Sequence, residues 1–240
     1  MKKLLIIPLA AMALLSSCGT YQMSTLSSTN TTRDEKTGVF KLENDSVKIL
    51  YSFAGKNAPI QLSIYNKLNE PIYVDWERSA MIMDDKSYSY GDDVVQISAD
   101  ASSVSTGKRL RFTDATIAAQ ATLPKNVAFL PPHSQFSKTM EKLSDRSFQP
   151  VPDSMFVKTK FPSYGAMGLT GKVAKFNREN SPLFFRSYLT VYTLKNNVPQ
   201  FVAYQNDFYV SEMIRSTSGP ESFENFGGGR GDSFYGSASH

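Results

Sequence analysis

Apolar and polar residues alternate with a period of two through most of the chain after Val39. In "SVKILYSF" (46–53), Val47, Ile49, Tyr51 and Phe53 fall on one side, and Lys48, Leu50 and Ser52 fall on the other. "PIQLSIYN" (59–66) repeats the pattern with Ile60, Leu62 and Ile64 against Gln61, Ser63 and Tyr65. "PIYVDW" (71–76) follows after a turn over Lys67, Leu68, Asn69 and Glu70. "NVAFLPP" (126–132), "MFVKTKF" (155–161), "RSYLTVYTL" (186–194) and "QFVAYQNDFYVSEMI" (200–214) continue it. Alternation enriched in β-branched and aromatic residues, and bounded by Asn, Pro and Gly, predicts strands. Helical signals are scarce: "HSQFSKTMEKLSDRSF" (133–148) could hold a short helix, and "DATIAAQATL" (114–123) is ambiguous. Seven or more short strands across 39–217 predict an all-β fold, a single antiparallel β-sandwich with at most short helices.

The N-terminus breaks this texture. Lys2 and Lys3 precede the apolar run "LLIIPLAAMALL" (4–15). Twelve residues rise about 18 Å as a helix against a hydrocarbon core of about 30 Å, so the run is too short to span a membrane. It reads as a signal peptide over residues 1–17. Ala11-Met12-Ala13 has the small-x-small form of ordinary secretory cleavage, but a cut there leaves a short apolar run before it. Leu15-Ser16-Ser17-Cys18 instead resembles the bacterial lipobox. Under that reading the Cys18 thiol takes a diacylglycerol as a thioether, and the freed amino group is acylated as well. One chain anchors marginally and two or more anchor stably.

Cys18 is the single cysteine, so lipidation leaves no disulfide and packing alone must hold the fold. The 16 Phe and 12 Tyr supply material for a core. Removing the leader takes Lys2 and Lys3 from the 26 Lys+Arg and brings them close to balance with 22 Asp+Glu. That near-neutral chain argues against nucleic acid as a partner, which needs a concentrated basic patch. "GTYQMSTLSSTNTTRDEKTG" (19–38) is Ser/Thr/Asn-rich and without period, so residues 18–38 are expected to be a lipidated flexible tether. A coil of that length reaches roughly 25 Å from the membrane. No acidic cluster follows Cys18, which favours the periplasmic face over the cell surface. Gly19 resembles the residue at that position in outer-membrane sorting signals.

"LSIYNKLNEPIYVDWERSAMI" (62–82) has a strand ending in Asn, a short turn and a second strand carrying Asp-Trp, and "FLPPHS" (129–134) supplies a later Pro-Pro turn. The two together resemble the immunoglobulin-like domains of uncharacterised bacterial outer-membrane lipoproteins. The resemblance implies an immunoglobulin-like sandwich and no activity; Trp76, by its large ring, is the natural core anchor between the sheets.

Candidate chemistry is thin. The two histidines are His133, in the Pro-Pro turn, and His240 at the last position, and neither has a partner at metal-ligand spacing. No nucleophile elbow, phosphate-binding Gly-rich loop or helical His-Glu-x-x-His occurs. No cofactor is therefore assigned. In "DDKSYSYGDD" (84–93), Asp84, Asp85, Asp92 and Asp93 flank a hairpin and are weak candidates for Ca²⁺, though a solvated tip is the simpler reading. "KRLRF" (108–112) reads as a basic edge strand able to bind protein.

The last stretch, "SGPESFENFGGGRGDSFYGSASH" (218–240), is Gly/Ser-rich with Phe223, Phe226, Phe234 and Tyr235 spaced along it. It is expected to be a disordered tail whose rings anchor on a partner. Its Arg230-Gly231-Asp232 matches the integrin-binding tripeptide, a three-letter word of low specificity. The sequence thus predicts a lipid-anchored envelope protein, non-enzymatic, binding a protein partner within a membrane assembly. The alternative is a carboxylate-based carbohydrate-active enzyme or a glycan-binding surface lipoprotein.

Overall fold

A computed structural model describes residues 20–91, 126–143, 149–162, 168–223, 226 and 229–237. The stretch 1–17 expected to be a signal peptide, Cys18, Asp92, Asp93 and the segments 108–112 and 114–123 lie outside them. The described residues form an all-β sandwich, with 3-10 turns at Asp153–Met155 and Pro220–Ser222.

The smaller sheet holds five strands. In order they are β10 (Gln135–Lys142), β6 (Pro59–Asn66), β4 (Val47–Ser52), β3 (Phe40–Glu43) and β2 (Thr32–Arg33). The larger sheet runs β5 (Gly55–Lys56), β15 (Ser233–Ser237), β1 (Tyr21–Ser27), β14 (Val198–Ser216), β13 (Phe184–Lys195), β7 (Ile72–Met83) and β8 (Lys86–Ser89). β9 (Val127–Leu130) lies along β7, while β12 (Leu169–Lys175) joins β14 to β11 (Val157–Phe161). Pairing is antiparallel apart from the short β15–β5 contact.

The alternation read from the sequence places the core as expected. Val47, Ile49, Tyr51, Phe53, Ile60, Leu62, Ile64 and Trp76 are all buried between the sheets. Phe208 is the hub of an aromatic cluster, with ring centroids 5.2 Å from Phe40, 5.2 Å from Tyr51, 5.0 Å from Phe53 and 5.3 Å from Phe185. Such edge and offset contacts add to the area each ring buries. Within this apolar layer the Tyr51 hydroxyl bonds the Ser187 hydroxyl at 3.0 Å and accepts from the Asn206 amide at 3.0 Å. Burial pushes the Tyr51 and Tyr90 hydroxyls well above the usual tyrosine range, so both stay neutral.

The two parts of the lipoprotein-like pattern meet at Asn66. Its amide donates to the carbonyls of Glu70 (2.8 Å), Leu130 (3.2 Å) and Pro131 (3.0 Å), and its oxygen accepts from Leu68 N–H at 3.0 Å. One buried side chain thereby ties the β6–β7 turn to the Pro-Pro turn.

Three expectations are corrected. Within 133–148, Gln135–Lys142 is not a helix but the edge strand β10, with Phe136 and Met140 against the core and Gln135, Ser137 and Thr139 turned away. The flexible tether does not reach 38, because Tyr21–Ser27 is a strand held between β14 and β15. Its alternation was hidden because Ser24, a polar residue, takes one of the inward positions beside Leu26.

Nor are the described residues of 218–240 a disordered tail. Phe234 enters the main core, while Phe223 and Phe226 cover Met23 and Ile214 in a second apolar cluster. The rings that were expected to anchor on a partner anchor on the chain's own sheet. The Arg-Gly-Asp turn locks this return. Asp232 is 1 % exposed and pairs with Arg33 at 3.2 Å and Arg230 at 3.0 Å. Gly231 accepts from Phe53 N–H at 2.7 Å and donates to the Thr37 carbonyl at 2.8 Å. A Cβ on Gly38, at φ +69°, would lie 2.3 Å from Asp232 Oδ1, so this glycine is required by close approach. With its carboxylate buried in two ion pairs, the tripeptide cannot present itself to a receptor.

Candidate functional site

Among the described residues, the β13–β14 hairpin carries the largest group of exposed large apolar side chains: Tyr188, Leu194, Val198, Phe201 and Val202. Asn196 and Asn197 form its two-residue turn with φ of 52° and 62°, the left-handed pair that matches strand twist and that Asn tolerates. From there β13 and β14 pair in unbroken register from Lys195–Val198 back to Phe184–Tyr209. Residues 193–195 run beyond the last β7 partner, so the hairpin projects as an arm. On the arm Leu194, Val198, Phe201 and Val202 are all exposed, with Val198 at 56 %.

A row of rings crosses four strands at its base. Phe129 pairs with Tyr73, Tyr73 with Tyr192, and Tyr192 with Phe201 in direct cross-strand register. Their centroids are separated by 5.4, 4.9 and 5.1 Å. Tyr73 and Tyr192 stack within 9° of parallel. Arg78 caps the row, its guanidinium 4.3 Å from the Phe201 ring. A bulge in β7 at residues 76–79 aims it there. That bulge is stitched by Thr190, whose N–H donates to the Ser79 hydroxyl and whose hydroxyl donates to the Arg78 carbonyl. Partial burial first, then the Asp75 carboxylate, pushes the Tyr192 hydroxyl up, so the row presents neutral rings beside one cation. The ends, Phe129 and Phe201, are 55 % and 44 % exposed. Contiguous exposed apolar surface rimmed by polar residues marks an interaction site.

The second edge of the arm is also open. Asn30 clips part of it, donating to the Gln205 carbonyl at 3.0 Å and accepting from Asp207 N–H at 3.0 Å. Between Pro199 and Ala203 no described residue bonds the outward backbone groups.

The residues singled out in the sequence are scattered. Asp84 and Asp85 form the β7–β8 turn, at φ 48° and 58°, and border a shallow cleft of about 150 Å³ with Gln149 and Arg186. Among the described residues no three His, Cys, Asp or Glu side chains gather as a metal site. His133 sits in its turn with Nε2 2.8 Å from Asn69 Oδ1. Gly19 and Thr20 alone separate Cys18 from β1. Near that end of the sheet Lys158, Lys172 and Arg215 lie opposite one another on β11, β12 and β14, and Lys158, Lys160 and Lys172 pair with no described acid. No described helix is long and apolar enough to cross a membrane.

Sequence reasoning located the arm's strands but not its exposure. The "NNVP" turn after "RSYLTVYTL" was the available signal for a hairpin. The chain matches no family model, no curated protein and no solved structure.

Proposed function

We propose that this is a lipid-anchored, non-enzymatic accessory protein of an envelope assembly, bound through Cys18 on the periplasmic face of the outer membrane, with the aromatic row as its partner-binding surface. The observation that carries the binding role is the four-ring row with exposed ends and an arginine cap. Aromatic and Arg side chains concentrate binding energy at protein interfaces. The stacked Tyr73–Tyr192 pair turns its ring faces on each other, which leaves no open central face for a sugar ring and favours a protein partner.

Lipidation at Cys18 would hold the domain close to the bilayer. Three residue steps from Cys18 to Tyr21 span at most about 10 Å, well below the reach of the tether expected from sequence. Lys158, Lys160 and Lys172 near that end, without an acidic partner among the described residues, suit an anionic headgroup surface, where each cation near the surface contributes about 1 kcal/mol.

The test is capture from native membranes. Cys18→Ser is expected to lose acyl labelling and membrane retention. The double variant Phe129→Lys with Phe201→Lys is expected to keep its fold and anchor but to lose protein partners about tenfold or more. An anchored Cys18→Ser chain would overturn the anchor. A wild type that captures no protein, or a double variant that captures the same proteins undiminished, would overturn the row.

A further inference from the structure

The open edge of the arm has a specific composition. The two-residue turn makes Lys195 and Val198 a hydrogen-bonded pair, so residues 200, 202 and 204 bond β13 while 199, 201, 203 and 205 turn outward. The Asn30 clip on Gln205 and Asp207 agrees with this parity. Phe201 and Ala203 therefore present two N–H and two C=O groups with no partner among the described residues. Residues 198–206 carry no charged side chain. Natural edge strands are usually protected by charge, a bulge or proline, and here only Pro199 and the Asn30 clip limit the length.

We infer that this edge pairs with the same edge of a second copy of the chain, around a two-fold axis at Val202. An antiparallel partner centred there sets Phe201 opposite Ala203 and Ala203 opposite Phe201. Each pair exchanges both of its hydrogen bonds, four in all. The large ring of each copy faces the smallest side chain of the other, and Val202 meets Val202 as a non-hydrogen-bonded pair, the closer type of cross-strand neighbour. With no charge in the segment, self-pairing brings no like-charge repulsion. Pro199, lacking an outward N–H, and the Asn30 clip end the pairing on either side. The two large sheets then become one, and their aromatic rows lie on the same face, offset by two residues. This inference depends on the arm and not on the anchor or the envelope partner.

Val202→Cys in the full chain, purified in detergent and oxidised with copper phenanthroline, tests it. Val202 is 49 % exposed, so the fold tolerates the change. A disulfide-linked dimer is expected within minutes, while the wild type stays uncrosslinked because Cys18 carries lipid. A wild type that crosslinks identifies a free Cys18 and so tests the anchor separately. Adding Ala203→Pro removes an outward N–H while sparing the β13 ladder, and is expected to slow crosslinking at least tenfold. Sedimentation of cysteine-unaltered chains is expected to give a dimer for wild type and a monomer for Ala203→Pro. Monomeric wild type, absent crosslinking at Val202→Cys, or Ala203→Pro that dimerises like wild type would each overturn the inference.

Discussion

Deletion of residues 218–240 is expected to abolish cooperative folding. The deletion removes Phe223, Phe226 and Phe234, each below 9 % exposed. Truncating one buried Phe typically costs about 3–5 kcal/mol, so losing three approaches the whole stability of about 5–15 kcal/mol for a domain. It also removes β15, the partner of both β1 and β5. Arg33 loses the buried Asp232 carboxylate. Far-UV circular dichroism with thermal melting checks this directly. A sharp transition near the wild-type midpoint would mean that the C-terminal return contributes little and that the fold described above is wrong there. A truncation of this kind is consequently unsuitable for mapping a partner, since any lost binding would follow from lost folding.

Asn66→Ala is expected to be the most damaging single polar substitution in the β6–β7 region. It strands three carbonyls and the Leu68 N–H at a fully buried position. A buried polar group left without its partner costs about 1–3 kcal/mol. Some of these groups will recruit one another or water, so a net loss of about 3 kcal/mol follows, or roughly 6–12 °C in melting temperature for a chain of this size. Asn66→Asp should not rescue, because a carboxylate would face the same three carbonyls as an acceptor. A shift under roughly 2 °C for Asn66→Ala would show that the two turns hold their geometry without the bridge.

Both expectations arise where sequence and structure part company or meet. Asn66 was visible as the strand-terminating residue of a pattern, but its reach to Leu130 and Pro131, more than sixty positions away, was not. The C-terminal residues were misjudged because Gly and Ser composition signals flexibility only when nothing holds the backbone. Gly231 has Val39 within 3.0 Å of a would-be Cβ, and Gly38 is in contact with Asp232. These glycines mark close approach rather than freedom. The aromatic row escaped detection for a related reason. Phe129, Tyr73, Tyr192 and Phe201 are ordinary outward positions on four strands, and only their register sets the rings side by side.

By itself the sequence determined the strand-forming stretches and the inward face of the central strands. These follow from local physics, since a period of two decides which side chains can share one buried face. Only the tertiary structure decided which strands are neighbours. That choice placed Tyr21–Ser27 and Ser233–Ser237 in the large sheet, buried the Arg-Gly-Asp turn and left part of one β14 edge without a partner among the described residues. The reason is physical. Strand pairing depends on backbone hydrogen bonds that every residue but proline offers alike, so the partner is selected by non-local packing and not by the strand's own side-chain pattern.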